Sequence, residues 1–371
     1  MVSSGPLRLA ALDGWRGICA MGVVLYHATR AVTWSGSDFP LLNGGSLFVD
    51  YFFVLSGFVM GITYDARVKD VRSAGVFMLR RFGRLWPLHV AMLGFYVALV
   101  LIILAAQVHL GTGAGPAFTD NKTPASLVTN LLLIHSLDLH GQLTWNTPSW
   151  SISVEFWTYA VFACILVGVR RYRTIIAVGL AGVGLLGVVA SGKYMDATFD
   201  YGIFRCLYGF FVGYLVFRFS AARADRPAVK LPSPFMVEAL VIAMLVLYLS
   251  YLNQPPLSLI GPVLFAFSVF IFSLEQGPIS RLLSRWPFSA MGAHSYSIYM
   301  IHIPLLALSL SLFHFDTIGG ANAVVIAYAT GVPIVATLTY RFIENPWRKY
   351  FNTLAVRLSL RRSVALSPQP H

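Results

Sequence analysis

The sequence contains few charged residues and few cysteines. Asp, Glu, Lys and Arg together make up 11% of the 371 residues, whereas soluble domains carry roughly 25%. A chain this apolar has too few polar side chains to cover a globular surface, so we predict that lipid is its solvent. Cys19, Cys164 and Cys206 all lie in apolar stretches, and we therefore expect no disulfide framework.

The sequence also shows no cleavable signal peptide, no internal repeat and no appended soluble domain. The first apolar run carries Asp13 and Arg16 and has no small-residue cleavage site, so we expect it to remain in the chain as a helix. We expect no metal site.

What the sequence does contain is a series of apolar runs long enough to cross a membrane, which takes about 20 residues. Ten runs have this character: 9–30, 46–64, 82–106, 149–168, 174–191, 201–217, 235–252, 257–274, 288–312 and 321–341. They predict an all-α polytopic membrane bundle of about ten transmembrane helices. In the long connection 107–148, the apolar piece Leu131–Ile134 suggests a re-entrant or interfacial segment.

The net charge of +12 has two interpretations, nucleic-acid binding and membrane topology. If the N-terminus lies inside, nearly all of the 27 basic residues fall on the cytoplasmic side; the exceptions are Arg30, Lys122, Lys193 and Arg205. This asymmetry is typical of cytoplasmic loops in membrane proteins. We therefore predict that both termini are cytoplasmic and that the chain has no nucleic-acid partner. Residues 1–350 would form the transmembrane domain and 351–371 a basic, poorly ordered cytoplasmic tail.

Ionisable residues inside apolar runs are costly in lipid and are therefore candidates for function. In the first run, Asp13 and Arg16 are three residues apart and face each other on a helix. Arg16 and His27 are eleven residues apart, which places them on one stripe about 16 Å apart along the axis. An Asp–Arg ion pair and a histidine bonded to a nearby carbonyl group are an equally good structural interpretation.

Two further clusters lie in the second and third runs. Asp50 falls about one turn into the second run, where a carboxylate is also favoured by the helix dipole. Arg80, Arg81 and Arg84 are spaced so that all three can face one side at the cytoplasmic mouth of the third helix. Guanidinium groups bind phosphate in a bidentate manner, but positive-inside anchoring explains most basic residues in such loops.

The last two clusters contain a carboxylate and a second histidine. Glu155 follows Pro148, which suits the first turn of a helix, and would lie at roughly the depth of His27. A carboxylate at that depth can orient a histidine that acts as a base. His302 precedes Pro304, which predicts a kink; a helix–helix hydrogen bond is at least as good an interpretation of this histidine as catalysis.

Six motifs in this order resemble the acyltransferase 3 family, the membrane O-acyltransferases of bacterial glycans. The matching segments are Leu12–Gly17 with His27, Val49–Phe58, Arg81 with Arg84, Ser151 with Ser153 and Glu155, Ser295–His302, and Glu344–Pro346. The resemblance spans about residues 7–350. Phe156 departs from it, since many relatives carry an acidic or polar residue there, and the hydrolase-like domain that some members append is not seen.

The resemblance implies an O-acyltransferase, most often an O-acetyltransferase, that takes acyl groups from cytoplasmic acyl-coenzyme A to acceptors at or beyond the outer face of a bacterial inner membrane. It implies these catalytic candidates: His27 as base or acyl carrier, Glu155, Arg16, Asp13 and His302. The implied donor-binding residues are Arg80, Arg81, Arg84 and Arg16. The implied acceptor-binding residues are Asp50, Asn146, Ser153 and Tyr159.

Other function classes remain open at this point. A transporter or flippase of lipid-linked sugars would also have about ten helices with buried polar groups, but it needs no stripe from an arginine to a histidine. A glycan polymerase or ligase would use large outer loops, and only 107–148 is long. The expected partners are acyl-coenzyme A, a carbohydrate or glycoconjugate acceptor and membrane lipids. The oligomeric state is left open, with a homo-oligomer among the possibilities.

Overall fold

The computed structural model describes residues 9–109, 121–223, 225, 227, 229–313 and 317–365. In this part of the chain all regular structure is helical. The helices are α1 (Ala10–Ala31), α2 (Phe48–Tyr64), α3 (Val71–His109), α4 (Pro124–Leu131), α5 (Trp150–Gly168), α6 (Arg173–Ala190), α7 (Gly202–Ala221), α8 (Pro234–Tyr251), α9 (Gly261–Ser273), α10 (Pro278–Leu283), α11 (Phe288–Leu312), α12 (Ile318–Thr339) and α13 (Asn345–Ala365). The first eight and the last six residues of the sequence, including those in the expected tail, lie outside the described residues.

The prediction of an all-α multi-pass membrane protein is confirmed. Eight helical segments of the described chain are long and apolar enough to cross a membrane. Each of the ten predicted spans overlaps a helix, but α1 and the shorter helix α9 are not among those eight. The charged residues of α1 and the length of α9 account for this difference. The count of ten and the cytoplasmic position of both termini therefore stay predictions.

The helices run between two ends of one bundle. At the end that we call the basic end, Asp65 after α2 is ion-paired with Arg173 at the start of α6 and Arg218 near the end of α7. At the opposite end, which we call the far end, the side chain of Asn322 in α12 bonds to Ser35 after α1.

Helices α1 and α11 pack together at very short range. A Cβ atom at Gly292 of α11 would collide with the backbone carbonyl group of Asp13, and one at Gly17 of α1 would collide with Met291. Small residues let helix backbones approach closely in lipid, where no hydrophobic force drives helices together. This contact brings the polar residues of α1 and α11 into one interface.

The C-terminal helix α13 lies along the first half of α3. The ring of Phe351 fills the space over Gly83, and the guanidinium group of Arg72 donates to the carbonyl oxygens of Leu358 and Ser359 at 2.5 and 2.6 Å. Helix α13 continues to Ala365, and the division into a domain of residues 1–350 and a tail of residues 351–371 stays a prediction.

The segment Leu131–Ile134 enters the bundle beside α5. The side chains of Ser153 and Trp157 donate to the carbonyl oxygen of Leu133 at 2.8 and 2.9 Å. Leu133 is buried. This loop lies against the first half of α5, and both the re-entrant and the interfacial alternatives stay predictions.

Candidate active site

A pair of histidines joins α1 to α11. His302 is fully buried, and its Nδ1 lies 2.6 Å from the carbonyl oxygen of Tyr299. Its Nε2 lies 3.3 Å from Nδ1 of His27, which in turn lies 2.9 Å from the carbonyl oxygen of Val23. The two imidazoles are therefore linked to each other and anchored to the backbone.

These partners fix which nitrogen of each ring carries the proton. A backbone carbonyl oxygen only accepts, so Nδ1 of His302 donates to Tyr299 and its Nε2 keeps a lone pair. Nδ1 of His27 then donates to Val23 and to that lone pair. The remaining basic atom is Nε2 of His27, for which no hydrogen-bond partner occurs in the described residues. A histidine held in this way is oriented to accept a proton at Nε2.

A cavity of about 170 Å³, which we call the inner cavity, lies in the half of the bundle toward the basic end. Its charged lining residues are Arg16, Arg81, Arg84 and Glu155. It places Arg16 of α1 with two arginines of the predicted cluster and with the carboxylate of α5. The third arginine of that cluster, Arg80, does not line this cavity.

Glu155 belongs to a hydrogen-bond network inside the inner cavity. Its Oε1 accepts from the hydroxyl groups of Ser56 and Tyr159 at 2.7 and 2.6 Å, and these two hydroxyl oxygens are 2.7 Å apart. The expected contact with His27 is not found among the described hydrogen bonds. The reason is that α5 presents Glu155 to α2, whereas His27 lies against α11.

Tyr299 connects the inner cavity to the histidine pair. Tyr299 lines the inner cavity. Its hydroxyl group accepts a hydrogen bond from Ser151 at 2.9 Å and donates one to the carbonyl oxygen of Pro148 at 3.1 Å. Its carbonyl oxygen holds His302, and its ring centroid lies 5.7 Å from that of His302. Tyr299 thus lies between the inner cavity and the histidine pair, and neither histidine is itself among the residues that line that cavity.

The arginines of the inner cavity differ in their partners. Arg84 forms an ion pair with Glu344, which also accepts from the hydroxyl group of Ser297 at 2.7 Å. Arg16 lies 3.7 Å from Asp13, as its spacing predicts. Arg81 forms no ion pair in the described chain and lies over two tyrosine rings, Tyr64 and Tyr159, at 5.6 and 5.9 Å. Arg81 therefore carries positive charge into the cavity with no carboxylate bonded to it.

The structure gives Asp50 a different environment from the expected acceptor site. Both of its oxygens accept from Arg205 of α7, at 2.8 and 2.7 Å, and the residue is fully buried. Arg205 also donates to the carbonyl oxygens of Ser46 and Ala197. This bidentate pair engages both oxygens of Asp50 and ties α2, α7 and their preceding loops together.

Two other expected acceptor residues are also bonded within the protein. The amide of Asn146 donates to the carbonyl oxygen of Met300 at 3.0 Å. The hydroxyl group of Ser153 donates to the carbonyl oxygen of Leu133 in the Leu131–Ile134 segment. Both are buried and neither lines the inner cavity. Of the four expected acceptor residues, Tyr159 alone faces that cavity.

A second cavity, the outer cavity, lies at the far end and measures about 510 Å³. It is formed by the end of α1, the loop before α2, the connection from α6 to α7 and the connection from α8 to α9. Its lining residues are Tyr26, Thr29, Arg30, Leu42, Asn43, Gly44, Ser46, Leu47, Met195, Asp196, Ser250, Tyr251, Asn253, Gln254 and Ser258. His27 thus stands in α1 between Arg16 of the inner cavity and Arg30 of the outer one.

The sequence reasoning missed several of these contacts. In the sequence, Arg205 is a single charged residue in a short apolar run. No spacing or motif predicts its ion pair with Asp50. Tyr299 precedes His302 by three residues, and this helical spacing is the signal that links them. Glu344 was interpreted as part of an ion-paired helix end, and its ion pair with Arg84 agrees with that interpretation.

Comparison with known proteins identifies the family. The model of a family described as an acyltransferase domain matches residues 9–341. The putative peptidoglycan O-acetyltransferase YrhL of Bacillus subtilis is 27% identical over 95% of this chain and 57% of its own length. The peptidoglycan O-acetyltransferase OatA of Listeria monocytogenes is 24% identical over 91% of this chain and 56% of its own length.

A third relative matches over most of both chains. The putative membrane-bound transacylase BcsY of Komagataeibacter xylinus is 27% identical over 97% of this chain and 88% of its own length. The chain spans little more than half the length of the two peptidoglycan relatives. No solved structure matches the chain significantly. The match over residues 9–341 and the six motifs together show that this chain belongs to the acyltransferase 3 family.

Proposed function

We propose that this protein is an O-acyltransferase of the bacterial inner membrane that moves an acyl group, most simply acetyl, from cytoplasmic acyl-coenzyme A to a hydroxyl group of a carbohydrate or glycoconjugate acceptor at the outer face. The observation that carries the proposal is the position of His27, between an arginine-lined cavity on the basic side and a polar cavity on the other. Two relatives are named as peptidoglycan O-acetyltransferases, which supports a glycan acceptor.

The donor assignment is supported by the charge of the inner cavity. Three guanidinium groups line it, and coenzyme A carries several phosphate groups. Guanidinium groups bind phosphate oxygens through charge-assisted hydrogen bonds. Arg81 is the best placed of the three, since Arg84 is ion-paired with Glu344 and Arg16 with Asp13. Arg80 would contact the donor only outside this cavity.

The proposed chemistry is carried by Nε2 of His27. This atom removes the proton from the acceptor hydroxyl group, and the resulting oxygen attacks the thioester carbonyl carbon. The carbon–sulfur bond breaks, and His27 returns the proton to the departing thiolate, so that the products are an ester and a free thiol. If Nε2 itself attacks the thioester, the carbon–sulfur bond breaks, the thiolate leaves, and His27 carries the acyl group. The acceptor hydroxyl group then attacks the acyl carbon, the bond to Nε2 breaks, and the hydroxyl proton neutralises the thiolate, so that the products are again an ester and a free thiol.

His302 positions His27 in this scheme. Its Nε2 lone pair accepts the Nδ1 proton of His27, which stabilises the orientation of the ring and the charge that develops on it. Glu155, Ser56 and Tyr159 lie in the donor cavity and are placed to hold the region of the thioester rather than to orient the histidine.

Arg81→Ala should weaken coenzyme A binding by about ten- to a hundredfold, because a hydrogen bond to a charged group contributes roughly 1.5–3 kcal/mol. Arg81→Lys should recover part of this affinity, since it keeps the charge but loses the guanidinium fork. Titration of the purified protein with coenzyme A, by calorimetry in detergent, measures the effect.

Arg67→Ala is the matched control, because Arg67 is an exposed arginine at the same end of the bundle and outside the cavity. It should bind coenzyme A as the wild type does. If folded Arg81→Ala protein binds coenzyme A with the wild-type affinity, the inner cavity is not the donor site. Its arginines would then serve only to fix the membrane topology.

A further inference from the structure

The outer cavity carries a mixed set of polar groups that the structure does not use internally. Arg30 and Asp196 both line it, and neither forms an ion pair in the described residues. Asn43 lines it and makes no side-chain hydrogen bond there. The cavity thus offers a cationic donor, an anionic acceptor and an amide that can do both.

Ser258 also forms part of the wall of the outer cavity and is 2% exposed. Its backbone groups are bonded to Gln254 and Tyr248, and its hydroxyl oxygen is buried. The polar groups that a ligand in the cavity can reach are therefore those of the exposed lining residues Arg30, Asn43, Asp196 and Gln254.

We infer that the outer cavity is the acceptor site and that it binds a carbohydrate segment through Arg30, Asn43, Asp196 and Gln254; this rests on the proposed function. Sugar hydroxyl groups both donate and accept, and this lining does the same. The volume of about 510 Å³ falls within the range of roughly 300–1,000 Å³ that is typical of small-molecule sites.

Other ligand classes fit this lining less well. An acyl chain would leave its polar groups unbonded, which is costly. A strongly anionic ligand would face the carboxylate of Asp196 as well as Arg30. The rings of Tyr26 and Tyr251, which also line the cavity, provide flat apolar surfaces of the kind on which a sugar ring can pack.

The outer cavity is also correctly placed for the proposed chemistry. Arg30 is three residues after His27 in α1 and therefore lies on nearly the same face, about 4.5 Å farther along the axis. If a sugar forms a hydrogen bond with Arg30, the other hydroxyl groups of that sugar lie within about one helical turn of the His27 imidazole. Asp50, Asn146 and Ser153, in contrast, are bonded within the protein.

The test is a triple variant, Asn43→Ala with Asp196→Asn and Gln254→Ala, in which all three changed residues are exposed at the surface of the cavity. The probe is the total envelope glycan fraction of the expressing strain, with radiolabelled acetyl-coenzyme A as donor. The loss of several hydrogen bonds, each worth roughly two- to tenfold in affinity, should raise the apparent KM for glycan at least about tenfold. The kcat at saturating glycan and the Kd for coenzyme A should stay within about twofold.

Asp38→Asn is the matched control, because Asp38 is an exposed carboxylate at the same end and outside the cavity. The Asp38→Asn variant should transfer acetyl groups to glycan as the wild type does.

Two results would overturn the assignment. A triple variant whose KM stays within twofold of the wild type would exclude the outer cavity as the acceptor site while leaving the proposed function intact. If the wild type binds coenzyme A but labels no glycan, the proposed function itself fails, and the carbohydrate site fails with it.

Discussion

Replacing His27 with alanine should abolish acyl transfer, with activity below about one hundredth of the wild type. Proton transfer by a positioned side chain typically contributes about 10²–10⁴-fold, and a covalent role would make the loss larger still. Binding of coenzyme A should change little, because the proposed donor site is formed by Arg16, Arg81 and Arg84 of the inner cavity and does not include His27. The measurement is transfer of labelled acetyl groups to glycan in membranes, together with a donor-binding titration of the purified variant.

His294→Ala is the matched control for this experiment. His294 also lies in α11, but it contacts Thr337 of α12 and Tyr340, the residue that follows α12, instead of α1. It should retain full activity. The His302→Ala variant should lose less acyl-transfer activity than the His27→Ala variant. His302 acts through His27, and the base itself remains in the His302→Ala variant. If His27→Ala keeps more than a few per cent of the wild-type acyl-transfer activity, His27 is neither the base nor the acyl carrier. His302 and Glu155 would then be the next candidates.

Removing Arg205 should have the largest effect on stability. Arg205→Met leaves the carboxylate of Asp50 buried without its partner, and breaking a buried ion pair from one side costs about 3–5 kcal/mol. Both residues are at most 2% exposed, so water does not replace the lost contacts. We expect a large fall in the yield of folded protein and in its thermal unfolding temperature in detergent.

The double variant Asp50→Leu with Arg205→Met should recover much of that stability, because no unpaired charge remains. Arg218→Met is the control, since the ion pair of Arg218 with Asp65 is partly exposed, with 31% of the arginine side chain accessible, and Arg173 also binds Asp65. If Arg205→Met stays as stable as the wild type but loses affinity for glycan, Asp50 and Arg205 would form the acceptor site expected from the sequence.

The sequence was sufficient for the helices, whereas the functional roles that it suggests for residues along them stay predictions. Apolar runs of membrane-spanning length predict helices because lipid leaves the backbone no other way to satisfy its hydrogen bonds. The eleven-residue spacing of Arg16 and His27 places both on α1, which is one continuous helix, so their separation along its axis holds. The three-residue spacing of Asp13 and Arg16 likewise predicts their ion pair.

The sequence was not sufficient for contacts between helices. Asp50 and Arg205 are 155 residues apart, and the two charges meet only because α2 and α7 pack closely. Glu155 was placed at the depth of His27, but depth does not say which way a residue faces, and its partners are Ser56 and Tyr159. The outer cavity was missed for the same reason, since its wall comes from the end of α1 and from three connections that are separated in sequence.

The central claim is that the acyl group passes from a donor on the basic side to a glycan on the far side through His27. It is tested most directly with sealed inside-out vesicles that contain envelope glycan in the lumen and receive labelled acetyl-coenzyme A only in the outer medium. The account predicts label on lumenal glycan with the wild type, none with His27→Ala, and coenzyme A that stays outside. Label confined to glycan supplied on the donor side, or equal labelling by His27→Ala, would contradict it.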